Sequence, residues 1–180
     1  MINFLKPDQR TVVLIDGSNL YSTTKLLNIR IDYMKVYEFF QNSCDLLRIN
    51  YYTCTPPQEE YDPLRSTYDW LSYNGYNLKS RPAKEYIDHQ TGTRRIKGNV
   101  DVDIAVDMML LCKKVDHIVL MSGDGDFCTA VEAVQNMGTR VSVISSHARP
   151  HPTCSDDLRR AADTFVDISE LAPIWERSQI

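Results

Sequence analysis

The sequence has no apolar run approaching the ~18 residues that cross a bilayer, which argues against a membrane-spanning helix. Its opening, "MINFLKPDQR", lacks the charged start, long apolar stretch and small-residue cleavage site of a signal peptide. It has no CxxC pair. The five cysteines (Cys44, Cys54, Cys112, Cys128 and Cys154) are odd in number and scattered, so a disulfide framework is not expected, and reduced thiols in a cytoplasmic protein are. It has no excess of positive charge. The net charge of −4 excludes a broadly basic nucleic-acid binder of the usual kind. Internal repeats, linkers and low-complexity stretches are also missing, so residues 1–180 are expected to form one domain, long enough for a full hydrophobic core.

What is present is unevenly spread. "KSRPAKEY" and "TRRIKGN" concentrate Lys79, Arg81, Lys84, Arg94, Arg95 and Lys97, while acids concentrate between 101 and 126 and again at 156–170. An acidic total therefore coexists with a local basic surface.

Short apolar runs alternate with helical periodicity. "RTVVLIDGSN", "LLRINYYT", "YNLKSRPA", "DHIVLMSGDGD" and "TRVSVISS" read as strands, several of them apolar on both faces. "IDYMKVYEFFQNSCD" carries Ile31, Met34 and Phe39, with Val36 and Phe40, at helical spacing. "LRSTYDWLSYNG" is a helix stopped by Gly75, and "DFCTAVEAVQNMG" one closed by Gly138. In "NVDVDIAVDMMLLCKK" the residues Val102, Ala105, Val106, Met109 and Leu110 are expected to form the apolar face. "KEYIDHQTGTRRIKG" reads as a hairpin turning at "HQTG", and "CTPPQEEYDP" as a Pro-rich loop. "SDDLRRAAD" is a short helix begun by Ser155 or Asp156, followed by "TFVDIS" as an edge strand and a last turn or helix. Strand–helix alternation of this kind predicts an α/β fold around a parallel sheet.

Ligands of open parallel sheets bind beyond the carboxyl ends of the strands. The first strand ends in Asp16 and the fourth in Asp124 and Asp126. The helix before the fourth strand starts at that same end, which brings Asp101 and Asp103 to the crevice, with Asp107 four residues beyond Asp103. Carboxylates packed together repel, and must take up protons or bind cations. Hard oxygen ligands favour Mg²⁺ or Mn²⁺, and such a site is suited to phosphodiester hydrolysis. Any one of these acids alone would read as a turn or a helix cap. An EF-hand is excluded because Cys128 and Thr129 stand where a third oxygen ligand and a glycine are needed.

"VVLIDGSNLY", "KGNVDVDIAVDMM", "HIVLMSGDGDF" and "VQNMGTRVSVIS", in this order over residues 11–145, resemble the NYN family, the LabA-like branch of the PIN-type nuclease superfamily. The resemblance implies a three-layer PIN-like fold with about five strands in order 3-2-1-4-5, which makes strands one and four neighbours. It also implies a metal-dependent ribonuclease. Its acidic site would comprise Asp16, Asp101, Asp124 and Asp126, with Asp103 as a further metal ligand. Asn19 would orient Asp16 or a phosphate, Ser122 would support the Asp124 loop, and Asp107 would stand behind the cluster or cap it.

Lys97, four residues before Asp101, can contact the scissile phosphate, offset the acids or simply face solvent. Arg94, Arg95, Arg81 and Lys84 can grip an RNA backbone or form a solvated face, and Tyr73, Tyr76 and Tyr86 among them can stack bases or pack. His147, Arg149, His151 and Cys154 fit no strong zinc spacing and suggest a loop beside the site that touches substrate. Arg159 and Arg160 can contact phosphate or face solvent. The expectation is an endoribonuclease acting on RNA, with a homodimer or protein partner left open. A catalytically weak RNA-binding or protein-interaction module is the alternative. An aspartyl phosphatase is disfavoured because "GSN" after Asp16 supplies no second acid two residues on.

Overall fold

A computed structural model describes residues 4–56, 63–87, 94–97 and 99–177; the side chains of 84–87 and 94–97 lie outside the description. Among the described residues, six strands build one parallel sheet: β1 (Arg10–Asp16), β2 (Asp45–Thr55), β3 (Tyr76–Pro82), β6 (His117–Met121), β7 (Arg140–Ser145) and β8 (Thr164–Asp167). Their order is β3-β2-β1-β6-β7-β8. The expected 3-2-1-4-5 arrangement is therefore present and extended by one strand, since "TFVD" joins as a sixth, parallel, at the edge. Strands β4 (Lys84–Ile87) and β5 (Arg94–Lys97) form the expected antiparallel hairpin apart from the sheet. Its "HQTG" turn and most of the Pro-rich loop lie outside the described residues.

Helices cover both faces. On one lie α1 (Gly17–Leu26), α2 (Tyr33–Ser43), α3 (Arg65–Tyr73) and α7 (Ile168–Trp175), packing Leu20, Val36, Phe40, Leu71, Leu171 and Trp175 against Val13, Ile15, Ile49 and Val119. On the other lie α4 (Asp101–Leu111), α5 (Cys128–Asn136) and α6 (Asp156–Ala161), packing Ile104, Met108, Val131, Val134 and Leu158 against Val12, Leu14, Ile118, Leu120, Val141 and Val143. Alternate residues of β1 feed the two cores, which is why its sequence is apolar throughout.

Two expectations are corrected. Residues 17–26 form helix α1, where the sequence shows little more than a strand-ending turn. Only Leu20 and Thr23 of its side chains are buried, so periodicity is faint, and the Asp16 carboxylate starts the helix by accepting from the Asn19 N–H. Helix α4 faces the core with Ile104 and Met108, while Val102 and Leu110 of the expected face are 74% and 62% exposed. Apolar residues run almost all round α4, so spacing alone cannot select the inner face. Met34 of α2 likewise points outward.

His117 is fully buried on β6, with Nε2 at 2.8 Å from the Ser142 hydroxyl. Burial, helped by Arg140, pushes its pKa down from 6.5 to about 4. The unfolded chain therefore takes up a proton as pH falls below 6.5 and the folded chain does not until about 4. Stability is expected to fall through that window by about 3 kcal/mol from this residue. Denaturation of the wild type and His117→Gln at both ends of the window should show that much less pH dependence in the variant; equal dependence contradicts the assignment.

Candidate metal centre

The carboxyl ends of β1 and β6 are adjacent, because β1 and β6 pair from Thr11↔His117 to Ile15↔Met121. Asp16 follows at the end of β1 and is 3% exposed. One of its oxygens accepts from the Ser18 hydroxyl at 2.8 Å and the Asn19 N–H at 3.1 Å; the other accepts from the Ser122 hydroxyl at 3.1 Å. Ser122 Oγ in turn accepts from the Asp124 N–H, and Asn19 Oδ1 accepts from the Gly123 N–H at 3.0 Å. Asp16 and Asn19 thus tie the start of α1 to the loop that carries Asp124.

That loop can only be glycine at its centre. A Cβ on Gly123 would lie 1.9 Å from the Thr153 carbonyl oxygen and 2.6 Å from Ser145 Oγ. From this tight turn Asp124 caps the short 3-10 turn Gly125–Phe127, accepting from the Asp126 N–H at 3.0 Å. Across the crevice, Asn99 accepts from the Asp101 N–H at 2.6 Å and so begins α4.

Asp101, Asp124 and Asp126 come together: each offers a carboxylate oxygen, and the three lie within 4.8 Å of one another. Burial raises the Asp101 carboxyl above its usual range; its hydrogen bond with Asn99 opposes this, and the charges of Asp16, Asp124 and Asp126 add to the rise. A carboxyl that resists ionisation beside other acids is stabilised by a cation. The group could hold a metal ion. It borders an open cleft of about 310 Å³ lined by Asp16, Ser18, Asn19, Asn99, Asp101 and Asp124 among others.

The NYN domain pattern matches residues 10–170. This chain belongs to the NYN domain family. It is 29% identical over 171 residues to the low amplitude and bright protein LabA of Synechococcus elongatus, covering 94% of this chain and 89% of LabA. A crystal structure of a protein of unknown function from Vibrio parahaemolyticus superposes with a TM-score of 0.71 at 26% identity, covering 89% of this chain and 93% of that one.

The other expected site residues of this NYN chain are placed differently. Asp103 is not among the three converging acids, because Arg81 of β3 takes both its oxygens, at 3.0 and 2.7 Å. Those bonds hold the Asp103 carboxyl below its usual range. The same contact engages Arg81, expected on RNA. Asp107 does not cap the cluster either; it accepts from the Tyr52 hydroxyl and pairs with Lys79. These two pairs line a second groove, of about 390 Å³, along β3 and α4. Tyr76 is buried, its hydroxyl donating to the Tyr33 carbonyl, while Tyr73 is exposed. The side chains of Lys84, Arg94, Arg95 and Lys97, and of Tyr86, lie outside the described residues. Asp16 lines the cleft but stands outside the three-acid group, its oxygens already bonded.

Sequence reasoning missed Ser18 and Asn99. Both carry a local signal: a hydroxyl two residues after a strand-ending acid, and an asparagine just before a helix that opens with acids.

Gly123→Ala is expected to cost about 3 kcal/mol, because the new methyl must displace backbone packed over the loop. Urea denaturation measures it; an unchanged midpoint would contradict the tight approach of Thr153.

Proposed function

We propose that this NYN chain is a metal-dependent ribonuclease, cutting RNA phosphodiester bonds at the cleft between α4 and the β6 loop. The observation that carries the reading is the convergence of Asp101, Asp124 and Asp126 within 4.8 Å, at an open cleft of about 310 Å³. Membership of the NYN family supports it.

Asp101, Asp124 and Asp126 would hold the cation, which we take to be Mg²⁺ or Mn²⁺ because the donor set is oxygen throughout. When bound, such an ion supplies positive charge to the phosphate and lowers the pKa of water. Asp16 positions rather than reacts. Its bonds to the Ser122 and Ser18 hydroxyls and the Asn19 amide hold the Asp124 loop against repulsion from Asp101. Asn19 fixes Gly123, so the loop cannot retreat when the acids are ionised. Arg81 and Lys79 neutralise Asp103 and Asp107, which keeps those charges from opposing an incoming phosphate. Lys97, Arg94, Arg95 and Lys84, on the hairpin that precedes α4 in the chain, would contact the RNA backbone.

Purified protein with Mn²⁺ should cleave labelled single-stranded RNA, and Asp101→Asn or Asp124→Asn should lower the rate at least ~100-fold, as loss of transition-state charge stabilisation requires. Activity that survives EDTA, or that stays at the wild-type level in both variants, would overturn the reading.

A further inference from the structure

The carboxyl edge of the sheet carries the Asp16 arrangement twice. At the end of β8, Asp167 is buried, begins α7 and accepts from the Ser169 N–H at 2.9 Å and from its hydroxyl at 2.7 Å, two residues on, as Asp16 accepts from the Ser18 hydroxyl and the Asn19 N–H. Ser146, just past β7, donates its hydroxyl to Asp167 at 3.4 Å and accepts from the Ala148 N–H, as Ser122 does for Asp16 and Asp124. The second copy differs in what it holds. Asp167 accepts from the His147 N–H at 2.9 Å and lies 2.7 Å from His147 Nδ1. The imidazole is fixed at its inner nitrogen, and the His147 side chain is 48% exposed. Hydrogen bonds from His147 and Ser169 outweigh burial and keep the Asp167 carboxyl below its usual range.

Phe165, two residues before Asp167 on the same face of β8, braces two cationic or polar groups. The His147 ring meets it edge-on, with centroids 5.6 Å apart, and the Arg159 guanidinium of α6 lies 5.1 Å from its centroid. Among the described residues Arg159 has no acidic partner, whereas its neighbour Arg160 bonds Asp157 at 3.0 Å and approaches Asp156 at 3.8 Å. Arg149 is exposed on the same loop as His147. That loop is joined to the metal centre: the Ser155 N–H donates to the Gly123 carbonyl at 2.9 Å, and the Thr153 and Cys154 N–H groups donate to the Ser146 carbonyl.

We propose that His147, Arg149 and Arg159 form a subsite for the RNA nucleotide flanking the scissile phosphate, on the β7–β8 side of the cleft. The proposal rests on the ribonuclease reading of the metal centre. Strands β7 and β8, from which the His147 loop and Asp167 extend, lie one and two strand spacings, roughly 5 and 10 Å, from β6 on the same sheet. An acidic cluster repels a polyanion, so a strand crossing it needs cations beside it. On the opposite flank the described cations Arg81 and Lys79 are taken by Asp103 and Asp107, which leaves charge free on the His147 side. Guanidinium and imidazole planes, held still on Phe165 and Asp167, are surfaces on which an unpaired base stacks, and Arg149 and Arg159 can contact its phosphate.

The test is fluorescence anisotropy of a labelled short single-stranded RNA in EDTA, over a range of salt. It uses the full chain as wild type, Arg149→Gln, Arg159→Gln, Arg159→Lys and His147→Gln, with circular dichroism as the check of fold. Each Arg→Gln change should weaken binding about tenfold and reduce the slope of log K against log salt by about 0.7. Arg159→Lys should weaken binding with the slope kept, since charge stays and the plane is lost. His147→Gln should weaken binding with the slope least changed. Cleavage by the wild type together with unchanged binding in all four variants would overturn the subsite and leave the ribonuclease reading standing. Neither binding nor cleavage by the wild type would overturn both. Binding of an acidic peptide, lost in these variants while RNA binding persists, would make the patch a protein-docking surface and also overturn the proposal.

Discussion

Asp16 reaches the end of β1 inside the protein, where a carboxylate is costly unless its oxygens are bonded, and three donors from two elements meet it there. The Ser18 hydroxyl and Asn19 amide come from the start of α1, and the Ser122 hydroxyl comes from the end of β6. One buried charge therefore stops the strand, starts a weak helix and locks the neighbouring strand's loop in place. The presentation of Asp124 and Asp126 follows from that lock, as does the placing of Asn19 on Gly123. Both Asp16 oxygens are bonded in this lock, and Asp16 lies outside the group of three converging acids.

Six described acids near the carboxyl edge of the sheet fall into two electrostatic classes. Asp103 and Asp107 are paired with cations from β3, and Asp167 is satisfied by His147 and Ser169. Asp101, Asp124 and Asp126 face one another across a cleft with no described cation bonded to them, and burial raises the Asp101 carboxyl, with the charges of Asp16, Asp124 and Asp126 adding to the rise. The fold neutralises some carboxylates and leaves three adjacent ones facing each other, a group that could hold a metal ion. Separation of the two classes is carried by the faces of α4: Asp101 opens the helix at the cleft, while Asp103 and Asp107 turn toward β3.

Much of this is legible in the residues, for definable reasons. That Asp16, Asp101 and Asp124 line one cleft follows from topology, since strand ends and the start of the intervening helix share an edge whatever the side chains do. Gly75 and Gly138 mark helix ends because both adopt positive φ. What stays hidden depends on register between elements. Arg81 with Asp103, and Lys79 with Asp107 and Tyr52, are pairings of β3 with α4 across long intervals of chain, and no local pattern shows them. Helix α1 is hidden because an Asp cap and packing on β2, rather than amphipathic spacing, hold it. The Asp167–His147 pair is hidden because it joins a strand end to a loop from the preceding strand.

The central claim is that Asp101, Asp124 and Asp126 hold one divalent cation in the folded protein. Titration of Mn²⁺ followed by electron paramagnetic resonance tests it directly, because the signal of free Mn²⁺ is lost on binding. The wild type should bind Mn²⁺, and the Asp101→Asn, Asp124→Asn double variant, still folded, should leave the free signal intact. Equal uptake by the two proteins, or none by the wild type, would contradict the account.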